Sequence, residues 1–126
     1  MRPQSLAEVA GLVRSGAPFD ACLKNFLDEF YLRPDFTALI SEPALLAGID
    51  PVVGPVEDAY LAATAESLSA LVGSEAPVWA FADARKLKRP WFALEYPSLR
   101  ALLLWERPAP FRSRNLFVSE NALSRA

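Results

Sequence analysis

The residues whose types could do chemistry in this chain are two adjacent carboxylate pairs (Asp28–Glu29 and Glu57–Asp58), one cysteine (Cys22), and a group of cations near the C-terminal third. Magnesium binding would need both carboxylate pairs in one place. Neighbouring residues on a helix point about 100° apart, so neither pair converges unaided. A solvated helix face is the plainer expectation for both. Cys22 falls on an apolar stripe, where burial raises a thiol pKa and makes a structural role the expectation. The sequence holds no histidine. That removes Ser-His-Asp and Cys-His catalysis, HExxH zinc sites and the commonest general base. Its five glycines (11, 16, 48, 54, 73) form no phosphate-cradling loop. "GSEAP" at 73–77 opens like a nucleotidyltransferase motif, but no paired aspartates follow to hold magnesium. No catalytic residue, metal ligand or cofactor is therefore assigned.

The cations are Arg85, Lys86, Lys88, Arg89, Arg112 and Arg114, set among Trp91, Phe92 and Phe117. Cations on phosphates with rings under bases is how single-stranded nucleic acid is held. The competing expectation is that the rings fill the core and the arginines pair internally. The charge distribution bears on both. Residues 1–84 hold four basic and twelve acidic residues, and residues 85–126 hold nine basic and three acidic. A net charge of −2 thus hides an acidic segment and a basic one. In one small domain the two segments can pack on each other and need no outside anion. No helix-turn-helix, RRM or zinc-finger pattern accompanies the basic region.

The elements that must position these residues follow from periodicity and punctuation. Ser5 and Glu8 form a capping box for a helix over 5–15, with Leu6, Val9, Ala10 and Val13 on one face. Phe19, Cys22, Leu23, Phe26, Leu27 and Phe30 keep helical spacing between Pro18 and Pro34. A short helix is predicted over 35–41. The stretch "EPALLAGIDPVVGPVED" reads as a loop with one turn of helix around Ala44–Ala47, too apolar to be a solvated linker, and is expected against the core. A helix over 56–72 follows, with Leu61, Ala65, Leu68 and Val72 as its inner stripe, widened by Tyr60, Thr64 and Leu71. Its small residues Ala59, Ala62, Ala63 and Ala65 admit a close neighbour, and Gly73 is its stop. Pro77–Trp79 is expected to be extended, 81–87 a short helix, 98–106 a helix rather than a strand, and Ser119 the cap of a closing turn over 120–125.

Four stretches, "FLDEFY", "DAYLAATAESL", "RPWFALEYPSLRALLL" and "RPAPFRSRNLFVSENALSRA", resemble a family of small uncharacterised bacterial proteins. The resemblance runs from about Phe26 to Ala126. It implies a gene setting similar to toxin–antitoxin pairs, beside a nucleotidyltransferase-like protein. The family has no assigned activity, so the resemblance implies no catalytic residue. A shared ending of that length implies a packed element. Leu116, Phe117, Val118 and Leu123 agree, being too apolar to be left in water together.

The expected architecture is all-α: one compact domain, 1–126, of five to seven short helices with Pro-rich connections. Apolar residues make up 52% of the chain, enough for a core at this length. The apolar run Ala101–Trp105 is far short of a membrane span, the start of the chain shows no leader pattern, and a single cysteine suits a reducing cytoplasm. The leading functional expectation is a non-catalytic, cytoplasmic protein-interaction domain whose partner is a nucleotidyltransferase-like protein. The alternative is a nucleic-acid-binding module built on the basic and aromatic region 85–114.

Overall fold

The structure is a computed structural model, and it describes residues 2–92, 109–118 and 122–123. It is mostly helical, with one minimal sheet, and so belongs to the all-α class. Helix α1 (Leu6–Arg14) starts where the capping pattern puts it: Ser5 Oγ accepts the Glu8 N–H at 3.1 Å. The Glu8 carboxylate reaches back to the N–H of Gln4, one residue earlier than the usual box. Gly16, at φ 107°, turns the chain into helix α2 (Phe19–Leu32). The stripe of α2 is buried at Cys22, Leu23, Phe26, Leu27 and Phe30, as spacing predicts; Phe19 is half-buried and meets Tyr60 edge-on at 6.0 Å. Burial lifts the Cys22 thiol pKa. Helix α3 is one turn, Thr37–Ile40, opened by Asp35 Oδ1 accepting the Thr37 N–H at 2.9 Å.

Helix α4 (Gly54–Leu71) is the axis of the fold. Leu61, Ala62, Ala65 and Leu68 enter a cluster with α1, α2, Leu39, Leu46 and Trp79. Ala59 and Ala63 enter a second cluster with Phe111, Leu116 and Val118. Of the small residues that permit close approach, Ala59 and Ala63 receive the later part of the chain, and Ala62 and Ala65 face the first cluster. A helix covered on more than one side loses the single-stripe pattern of a surface helix. Leu71 departs from expectation: it lies outside both clusters, 63% exposed, in the last turn before Gly73 (φ 72°).

Residues 77–87 differ from the expected extended segment and short α-helix. Two 3-10 turns, Val78–Phe81 and Asp83–Arg85, replace them. The Trp79 indole N–H donates to Leu39 O at 3.0 Å, and burying that ring with its donor satisfied requires a tight local turn. Strand β1 (Trp91–Phe92), not anticipated from sequence, pairs in parallel with β2 (Leu116–Phe117), in the register Trp91 to Leu116 and Phe92 to Phe117. Between them in sequence lies helix α5 (Ala109–Arg112). Asn115, at φ 63°, makes the left-handed turn into β2 and donates its Nδ2 to Leu87 O at 2.6 Å. Leu116, Phe117 and Val118 are buried, and Tyr31 Oη donates to Leu123 O at 2.8 Å, so this part of the chain lies on the domain. The predicted 98–106 helix and the Ser119 cap fall outside the described residues.

Candidate interaction surface

The apolar loop before α4 lies against the core at only part of its length. Pro43 and Leu46 are buried. Leu45, Ile49, Val52 and Val53 point outward, at 44, 54, 80 and 47% exposure. The loop thus lies against the core only in part, and its first turn falls at 46–50 instead of a helical turn around Ala44–Ala47; the reason is local. A turn closes on itself through Ile49 N–H and Asp50 N–H to Leu46 O (3.0 and 3.1 Å). Asp50 Oδ1 then accepts the N–H groups of Val52 and Val53, both at 3.0 Å, and Asp50 O accepts the Gly54 N–H at 2.8 Å. Satisfying those backbone donors fixes which side chains are left facing water.

Asp58 and Gly54 clamp the loop to α4. Asp58 is fully buried, which overturns its expected place on a solvated face. Its Oδ1 accepts the Leu46 N–H at 2.7 Å and its Oδ2 the Ala47 N–H at 3.1 Å. Arg85 lies 3.7 Å from Oδ1, donates to the carbonyl oxygens of Pro43 and Asp58, and stacks over the Trp79 ring at 5.0 Å. Burial pulls the Arg85 pKa down, and the charges of Asp58 and Glu42 hold it up. A Cβ on Gly54 would stand 2.3 Å from Leu46 O and 2.7 Å from Ala47 Cα, so only glycine lets the loop lie this close. None of these contacts has a short-range sequence signature. The i, i+4 pair Gly54 and Asp58, placed where an apolar Pro-rich loop becomes a helix, is the signal that could have pointed to them.

Of the sequence-predicted cations, two are internal and four face solvent. Arg85 and Arg114 are each about 1% exposed. Arg114 pairs with Glu66 at 2.7 Å, donates to Pro110 O and Ala80 O at 2.6 and 2.8 Å, and sits 5.6 Å from the Phe81 ring. Both buried arginines therefore hold the basic segment onto acidic residues of α4, and neither is available to a surface ligand. Lys86, Lys88, Arg89 and Arg112 are exposed, and Trp91, two residues after Arg89, is 36% exposed. The carboxylate pairs do not converge. Glu29 pairs with Arg2 at 3.6 Å, and no group of three or more His, Cys, Asp or Glu among the described residues could hold a metal ion.

Beside the clamped loop is a groove of about 290 Å³ between the end of α1, the start of α2 and the first turn of α4. Val13, Phe19, Ile49 and Val53 give it apolar walls, and Asp50 and Glu57 give it two carboxylates. Burial, then the charges of Asp50 and Asp58, raise the Glu57 pKa above the ordinary value. The two backbone donors lower that of Asp50, which stays ionised. No helix among the described residues is long and apolar enough to cross a membrane. The chain matches no protein-family model, no curated protein and no solved structure.

Proposed function

We propose that the chain is a non-catalytic protein-interaction domain that meets its partner through the 45–53 loop and the groove beside it. The observation that carries this reading is the clamped loop. Four aliphatic side chains stand in water on a backbone that a buried carboxylate, a buried arginine and an obligatory glycine hold in one conformation. Single exposed aliphatic residues are ordinary, but a rigid group of them is what a docking partner covers at little ordering cost. The family resemblance names the partner we propose, a nucleotidyltransferase-like protein encoded alongside, with the complex in the cytoplasm.

The test is co-purification from the native host with the neighbouring gene intact, comparing the parent chain with the Ile49→Asp/Val52→Asp variant. Both positions are exposed, so the variant should fold with an unchanged melting curve. The parent is expected to bring the nucleotidyltransferase-like protein with it and the variant to lose it. An equal yield of that protein with both would refute the reading.

The exposed cations Lys86, Lys88, Arg89 and Arg112, with the exposed Trp91 two residues after Arg89, favour a second reading as a single-strand binding surface. Four phosphate contacts would give a log–log salt slope of about −3 on single-stranded RNA. Absence of binding at low salt would remove it.

A further inference from the structure

The groove's two carboxylates restrict what can cover it. Asp50 uses one oxygen for the Val52 and Val53 N–H groups. Its other oxygen, and the carboxylate of Glu57, accept no hydrogen bond and face no cation among the described residues. A neutral apolar surface laid over this site would strand two charges away from water, which costs more than the apolar contact returns. An anion would be repelled. At about 290 Å³ the space is at the lower bound of small-molecule pockets, roughly 300 Å³, and suits one or two side chains of a larger partner.

We propose that the groove binds a segment of a partner protein that carries an arginine or lysine beside one or two apolar side chains. The apolar groups lie against Val13, Phe19, Ile49 and Val53, and the cation lies between Asp50 and Glu57. This deepens the interaction reading above and rests on it. Complementary charge then sets which partner is accepted, while the apolar walls supply contact area. The raised pKa of Glu57 fits such a use: the fold holds that carboxylate where its charge is disfavoured until a cation arrives.

A random dodecapeptide library, panned against the intact chain, tests the chemistry without assuming a sequence. The Asp50→Asn/Glu57→Gln variant serves as counter-target; both substitutions keep an oxygen acceptor, and coincident melting curves establish that it folds. Enriched peptides are expected to pair Arg or Lys with apolar residues and to bind the parent chain about fivefold more tightly than the variant. Their binding should also be lost in Ile49→Asp. Enriched peptides that are neutral or acidic, or that bind parent and variant equally, would overturn the cation's role. If such peptides still lost binding in Ile49→Asp, the interaction reading would survive alone. Failure to enrich any peptide overturns the proposal. Sedimentation supplies the remaining outcome. Self-association abolished in the double variant would give the groove to the Lys86–Arg89 segment of a second copy and overturn the assignment to a partner protein.

Discussion

Asp58 shows how much one side chain organises. It takes two loop N–H groups and a buried guanidinium, so Asp58→Ala would leave both N–H groups without their acceptor and Arg85 without its countercharge, hydrogen-bonded only to the carbonyl oxygens of Pro43 and residue 58. Breaking a buried pair from one side costs about 3–5 kcal/mol, whereas replacing both members with apolar groups is often near neutral. Urea denaturation should therefore show a large loss for Asp58→Ala and a smaller one for Asp58→Leu/Arg85→Met. Glu57 is the opposite case. Its pKa in the fold is raised, so its contribution to stability is full below the unfolded value near 4.5 and is lost as pH rises through the folded value. At neutral pH the ionised carboxylate works against the fold, because burial and then the charges of Asp50 and Asp58 disfavour it. Glu57→Gln is expected to raise the melting temperature at pH 7, with the gain shrinking as pH falls through the raised folded value and gone below about 4.5. A gain that persisted in acid would point to packing instead of charge. The sequence showed these two residues only as an adjacent pair. Their roles diverge because one side chain points into the helix–loop contact and its neighbour, about 100° around the helix, does not.

At the scale of elements, periodic and capped segments were readable and the connections were not. Helices α1 and α2 lie within a few residues of expectation because cap chemistry and an uninterrupted apolar period act within one turn of chain. The 3-10 turns after Pro77 and the parallel pairing of β1 with β2 depend on Leu39 O and Asn115, 40 and 24 residues from the groups they hold, Trp79 and Trp91. Nothing local encodes such pairings. Gly54 is the element-level test. Adding a methyl group must push the 46–47 backbone off α4, since the atoms in its way are main-chain atoms. Gly54→Ala should cost about 1–3 kcal/mol by overpacking, although alanine is the better helix former by about 1 kcal/mol. Amide exchange at Leu46 and Ala47, whose N–H groups Asp58 accepts, should accelerate more than exchange in α2. Uniform acceleration across both elements would mean that the loop is not a separate unit.

Across the whole molecule, the charge asymmetry read from sequence is met in part inside the fold. Arg85 and Arg114 from the basic segment pair with Asp58 and Glu66 from the acidic one, and both acidic partners lie on α4. The sequence favoured that arrangement over an outside anion but could not say which cations would be internal. Arg112 and Arg114 are two residues apart, and only the second is buried. Hydrogen exchange on the free protein should show residues 111–118 protected nearly as well as α4, because they share its second cluster. Free exchange there would make this segment a detachable arm. The same geometry has a consequence for synthesis. A nascent chain emerging to residue 84 presents the α4 sequence with Asp58 and Glu66, but with neither arginine and without Phe111 or Leu116 to cover Ala59 and Ala63. At about 5–20 residues per second the missing 34 residues, up to Val118, follow within seconds. A ribosome that stalls in that interval holds a helix with one face bare and a buried position awaiting its countercharge, which is a substrate for chaperones and proteases rather than a finished domain.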